Sequence, residues 1–564
     1  MFAISLRNTV AAVAALGLSL TASAQMEHHH HDAAPPAASE KLGSVSFPTS
    51  CAAISQKPME RGVALLHSFG YTEAQQQFEA IAKADSTCAM AHWGIAMTQF
   101  RPLWERPDAQ ALKLGADEMA KARALAGNAT PLEHGYIDAL SALYKPETAV
   151  YEQRTADYER AMDVLHAAFP DDVEPAAFDA LAILAAAPAN EASLEHPRKA
   201  LAILQPLFAA HPNHPGLAHY IVHTCDTPAL APQGLEAARV YASIAPSSAH
   251  ALHMPGHIFS RLGMWQEDIS SNLASMAASE QAEKAHQTGA AHQMHADEFL
   301  IYAWLQTGED EKARALTAKM RSISAEMAAM PYMDDMKDYG PFFDNELHSI
   351  YMLEMRDWKS AAALQIAPKA PPSSQFYVYW ANGLAAGHLD NAAALDTAIH
   401  NMDGEIEAVK QSPFAWLIDV LYIQRYELTA WKSLLAGKPD DAIAAMRSAT
   451  ELQDKLGQQE VDLPAHEIFA DMLVTMKRPE QALDEYKQSL KVSPNRLNTL
   501  LSAGQVAEQL GRTSEARAFY KTAAAQTANG AHSQRADLKH AVTIANEKGS
   551  GLSFSADLLK PGQR

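Results

Sequence analysis

Four histidines repeat one spacing. His219 and His223 stand four residues apart, His253 and His257 stand four apart, and 34 residues separate the two pairs. A step of four places two side chains on one face of a helix about 5–6 Å apart, and about 34 residues is the period of a repeating helix-turn-helix unit. Imidazoles at equivalent positions of neighbouring repeats would face one another. Neutral imidazole is the commonest protein ligand for transition metals, so the pattern reads as a metal site or a polar-ligand site.

The elements that must position these side chains can be traced from local signals. Pro212 and Pro215 precede a helix expected from Gly216 to Cys225, which Asp226-Thr227-Pro228 ends because a residue before proline is pushed out of helical geometry. A second helix is expected from Pro232 to Ala245. Ser247-Ser248 cap the next, which carries His250, His253 and His257 on one stripe. Pro255 interrupts that stripe: it lacks a donor and its ring crowds the carbonyl of Ala251, normally at about 3 kcal/mol. It reads either as shaping of the site or as a kink relieved by Gly256. Back-counting from a turn at Gly308 puts His295, Glu298 and Tyr302 on the inward stripe of the following helix, after an insertion carrying His286 and His292. Asp226, one turn beyond His223, faces the same wall.

The expected metal ligands are therefore His219, His223, His250, His253, His257, His295, Glu298 and Asp226, gathered on one concave patch. Helix axes about 8–10 Å apart allow inward imidazoles to meet one ion. Four histidines would close the site, whereas three with a carboxylate would leave a coordination place open for water or substrate. Zn and Cu suit these donors, and Fe less so. A groove that binds a peptide or a small polar ligand through ordinary polar contacts is the alternative, and 25 histidines in the chain make some clustering expected.

From about residue 55 onward Ala, Leu, Glu and Lys dominate, Pro and Gly recur as punctuation, and period-two alternation is scarce. Ala482 and Ala516 are 34 residues apart, as are Tyr486 and Tyr520, and each Ala follows a short turn, Lys477-Arg478-Pro479 or Gly511-Arg512-Thr513. This pattern, with Pro494 at a unit's end, resembles the tetratricopeptide repeat family. Looser units share the turn-then-Ala register: Gly70-Tyr71 with Ala74 and Phe78, Trp93-Gly94, Gly263-Met264-Trp265, Gly308 with Ala313, Trp358 with Ala361, Gly387 with Ala392, and Gly437 with Ala442. The resemblance implies an all-α, tetratricopeptide-type helical-repeat solenoid, a right-handed superhelix with degenerate repeats and insertions, over residues 51–545. Leu65-Leu66-His67-Ser68-Phe69, Cys88 to Gly94, His219 to Asp226, His250 to Gly263 and Pro464-Ala465-His466-Glu467 also resemble a group of exported, mostly uncharacterised bacterial repeat proteins. That likeness implies the architecture and the address, and it supplies no chemistry.

The chain ends carry other signals. Arg7, an apolar run from Thr9 to Leu20 and Ala22-Ser23-Ala24 read as a cleaved export signal over residues 1–24, without a cysteine for a lipid anchor. The run is too short for an ordinary membrane span, and no later stretch is apolar for long enough. Residues 25–50 read as a disordered leader whose His28, His29, His30 and His31 form a secondary site for metal capture, and residues 546–564 as a tail. A periplasmic or secreted location follows. In that oxidising compartment Cys51 and Cys88 are the expected disulfide, leaving Cys225 as a buried apolar residue or a spare soft ligand. The formal charge of −21 argues against nucleic acid. Zinc-protease, nucleophile-elbow, Walker and covalent-haem motifs are missing, which leaves no nucleotide or haem signature.

These observations point to an exported binding or scaffold protein with a histidine-rich transition-metal site on its concave face and a protein partner. Two alternatives stand beside it. One is a metal-dependent enzyme whose Zn, Fe or Cu centre activates water or oxygen. The other is a metal-free, peptide-binding assembly scaffold of the cell envelope.

Overall fold

The structure, a computed structural model, describes residues 40–103, 106–145, 150–188, 191–284, 292–329, 339–412, 414–459 and 461–547. The export signal, His28 to His31, Trp104, His286 and the segment 548–564 lie outside the described residues. Every regular element among the described residues is a helix. Short turns fold each helix back on the one before, and helices pack chiefly against their neighbours in sequence. The result is the tetratricopeptide-type helical array that the repeat pattern implied.

The repeat positions do the packing expected of them. Ala482, Ala516, Tyr486 and Tyr520 are all buried. A Cβ on Gly504 would lie 2.2 Å from the Tyr520 ring, so glycine is what lets the helices Leu497–Gln509 and Thr513–Gln526 meet. Gly263, Gly308, Gly437 and Gly511 adopt positive φ at helix ends, where glycine avoids the left-handed Cβ penalty. The register fails at two places. Trp93-Gly94 is no turn: it lies inside the helix Ala89–Gln99, where Gly94 accommodates the ring of Phe78. Gly387 also lies within a helix, against Trp431, and Asp390 takes the left-handed turn position instead.

The buried apolar residues form two cores. One runs from Leu42 to Phe259 and the other from Trp265 to Ile544, so the second histidine pair sits where they adjoin. The carboxyl-terminal repeats return to this junction. Trp265 Nε1 donates to the Asn495 carbonyl at 3.0 Å, Leu497 N donates to Gln306 Oε1 at 2.9 Å, and Gln526 Nε2 donates to the Gln306 carbonyl at 2.8 Å. Buried Arg496 is held between Glu467 at 2.6 Å and Glu354 at 2.5 Å, and it donates to Tyr302 Oη at 2.7 Å. A charge so deep requires this degree of pairing.

The leader boundary at residue 50 is corrected by the structure. Residues 40–50 form an ordered strap: Ser44 N donates to the Asn213 carbonyl at 2.9 Å, and Ser247 N donates to the Lys41 carbonyl at 3.2 Å. Leu42 and Phe47 are buried, with Phe47 stacked on Trp93 at 5.3 Å. Two apolar anchors suffice to dock a segment whose polar composition conceals them. Cys51 and Cys88 form the expected disulfide.

Candidate metal centre

Four helices and one turn build the site. The helix Pro215–Thr224 begins with the His214 ring accepting from Leu217 N and carries His219 and His223. Ser248 caps Ala249–His253 through Ala251 N, and this short helix carries His250 and His253. Pro255 then opens a separate helix, Pro255–Arg261, with His257 in its first turn. Proline is tolerated there because the first N–H groups of a helix have no intrahelical partner, so the break removes the cost expected of a proline inside one continuous helix. A Cβ on Gly256 would lie 2.7 Å from Asn272 Nδ2, so this glycine allows Trp265–Lys284 to approach. The helix His292–Gln306 supplies His295, Glu298 and Phe299.

The histidines divide into two groups. His219, His223 and His250 form one and His253, His257 and His295 form the other, and within each group one ligand atom per residue lies within 4.8 Å of the others. In the first, His219 Nε2 is 3.0 Å from His250 Nε2, and the buried Nε2 of His223 has no hydrogen-bond partner. In the second, His253 Nε2 is 2.9 Å from His257 Nε2.

Hydrogen bonds at the opposite ring nitrogens fix the tautomers. His219 Nδ1 lies 2.6 Å from the His67 carbonyl, which can only accept, so Nδ1 carries the proton and Nε2 a lone pair. His253 Nδ1 lies 2.6 Å from Asn272 Oδ1, while Asn272 Nδ2 donates to Asp268. His257 Nδ1 donates to Asp226 Oδ2 at 2.9 Å, and His295 Nδ1 donates to Glu298 Oε2 at 2.8 Å. In their neutral form all three rings of the second group therefore keep Nε2 as a lone-pair donor. Two such lone pairs 2.9 Å apart repel unless a proton or another cation lies between them. Metal-binding histidines commonly give their second N–H to a carboxylate or carbonyl in this way.

Asp226 and Glu298, expected as ligands, lie at these outer nitrogens and orient His257 and His295. Asp226 Oδ1 also accepts from Arg261 Nε at 3.0 Å. Tyr302, placed by spacing on the same stripe, instead donates to the Asp462 carbonyl at 3.0 Å and packs against Trp265. Phe69 packs on the rings of His219, His223 and His250, and Phe299 does so on His253, His257 and His295. The groups are not a solvent-lined patch: His219, His250 and His253 are buried, and access comes from the side of His295, whose side chain is 34% exposed.

Electrostatics favour neutral rings in the first group. Burial, followed by the neighbouring His223, holds His219 well below the usual imidazole range. Burial, with His257 and His295 adding to it, lowers His223 to about 3. Burial pushes the Cys225 thiol up to about 12. Its Cβ lies where a side chain on Gly234 would go, a packing role.

Sequence reasoning missed a further cluster. His67 Nε2 is 2.8 Å from Glu174 and His214 Nε2 is 3.0 Å from the other oxygen of that carboxylate, while His67 Nδ1 meets Tyr220 Oη at 2.8 Å. Burial opposes the charge of Glu174, but the two imidazoles outweigh it and hold the carboxyl down at about 2. The cluster fixes the His67 backbone whose carbonyl orients His219. No periodicity reveals it, because its members come from three distant helices. Cys51, Asp85 and Cys88 also converge, but the disulfide occupies both sulfurs.

No family model and no curated protein matches this chain. Solved structures similar to it include the human IFIT1 dimer with m7Gppp-AAAA, at 11% identity over 81% of this chain and 90% of that one, with a TM-score of 0.36. The yeast Tom70 structure shows 13% identity over 72% and 95% of the two chains with a TM-score of 0.26. The P58(IPK) TPR domain shows 14% over 74% and 97% with a TM-score of 0.20. Likeness at this level says nothing about the site.

Proposed function

We propose that this is an exported helical-repeat protein that binds transition-metal ions, one at each three-histidine group. The observation that supports it is the convergence of Nε2 lone pairs, set by His67, Asn272, Asp226 and Glu298 acting on the outer nitrogens. Three imidazoles and no thiolate suit Cu or Zn, and three ligands leave a coordination place for a small molecule. The leader histidines, His28 to His31, serve as an additional capture site. Export is supported by the signal-like amino terminus and by the Cys51–Cys88 disulfide, a bond at home in an oxidising compartment.

The test is metal analysis by mass spectrometry of full-length protein, stripped and then dialysed against Zn or Cu. The expected result is loss of two ions per chain in the double variant His223→Ala/His257→Ala relative to wild type, with helical circular dichroism retained. Equal uptake by both proteins would overturn the assignment.

A further inference from the structure

Two three-imidazole groups side by side raise the question of whether they act separately. His250 and His253 stand three residues apart on the short helix Ala249–His253, yet His250 belongs to the first group and His253 to the second. Side chains three apart on a helix are neighbours, with Cβ atoms about 5–6 Å from each other. The groups are joined a second time. Asp226 follows the helix that bears His219 and His223, and it accepts from His257 Nδ1 of the second group. The two groups are therefore held by the same two elements.

The bite of each group narrows the metal. With metal–nitrogen bonds near 2.0–2.1 Å, Nε2 atoms 2.9–3.0 Å apart subtend about 90° at a shared ion, well short of a tetrahedral angle. Tetragonal nitrogen coordination suits Cu(II), which also binds such donors more tightly than Zn in the general order of divalent affinities.

The walls narrow the ligand. Phe69 covers the first group and Phe299 the second, and the approach lies past His295 and past His257, whose side chain is 12% exposed. Apolar rings on both sides favour a small, weakly hydrated molecule over a bulky polar one.

We infer that the two groups form one dicopper centre that takes dioxygen between its ions, an inference that rests on the metal reading above. At the cuprous level each ion gives one electron. The two electrons reduce bound O2 to the dianion, the O–O bond order falls from two to one, and both ions become cupric. No proton or further reductant is needed for this step.

The experiment uses full-length protein loaded with Cu. Copper is counted by mass spectrometry, and cupric spins are counted by electron paramagnetic resonance with and without azide as a bridging probe. The same protein is then reduced anaerobically and titrated with O2. The expected result is two Cu lost in His223→Ala/His257→Ala, a wild-type spin count that exceeds the variant's by well under one spin per chain once azide bridges the ions, and uptake of one O2 per two cuprous ions that the variant lacks. The single variant His295→Ala, with one group disabled, should show the full spin count of the Cu it retains at the other group. Two site-bound Cu ions giving full spin intensity with azide, or no O2 uptake at that ratio, would overturn the dicopper centre and leave the metal reading standing. Equal Cu binding in wild type and the double variant would overturn both. The wild-type spin count does not depend on any variant folding.

Discussion

His250 and His253 lie one turn apart on a five-residue helix, yet their Nε2 atoms serve different partners, His219 and His257 respectively. A single element thus divides its histidines between two sites. His250→Ala should remove one metal ion per chain and His253→Ala the other, each binding one ion fewer than wild type by mass spectrometry. Loss of both ions in either single variant would show that the groups cannot be occupied independently.

Asp226 orients His257 without supplying the converging lone pair. Asp226→Asn should keep the wild-type stoichiometry while weakening the affinity of the second site about 10- to 100-fold, as for partners of metal-binding histidines generally. Competition with a chelator of known affinity reads this directly, and loss of one ion relative to wild type would instead make Asp226 a ligand.

The Cys51–Cys88 bond closes 37 residues and secures the first repeat behind the strap. Reduction, or the double change to serine, should cost about 2–4 kcal/mol by removing a constraint on the unfolded chain. Thermal unfolding with and without reductant measures it, and an unchanged midpoint would show that Phe47 and its neighbours hold this end alone.

His466 lies between Glu485 at 2.6 Å and Asp454 at 3.2 Å. Burial lowers its proton affinity, but the two carboxylates outweigh that effect and raise it to about 9. Because the folded value exceeds the unfolded one, near 6.5, the stabilisation is fully present below pH 6.5 and is lost as pH rises through about 9. With Asp454 53% exposed, the contribution is about 1–2 kcal/mol after solvent screening. His466→Gln should therefore destabilise the protein at pH 6 and make little difference at pH 10 in denaturant titrations. Equal destabilisation at both values would assign His466 a packing role.

Gly256 is the contact point for the helix that brings Asn272 to His253. Gly256→Ala must displace Asn272 or Asp268, at about 1–3 kcal/mol of overpacking. It should also weaken metal binding at the second group more than at the first. Equal weakening at both would mean that the displacement spreads along the shared helix.

The helices, the repeat register around Ala482 and Ala516 and the four-residue histidine steps were legible in the residue order alone. Each depends on the local period of the helix or on turn residues a few positions away. The residue order also singled out His219, His223, His253 and His257, since residues four apart along a helical segment stay close to one another. Packing in three dimensions separates the six imidazoles into two groups rather than one patch. The break at Met254 and Pro255, and the arrival of His295 from the next repeat, direct His253 away from His250. It also decided that Asp226 and Glu298 meet the outer ring nitrogens, and that His67, 152 residues from His219, fixes that ring's tautomer through its carbonyl. Contacts of that range come from packing between distant helices, and side-chain spacing within one helix carries no record of them.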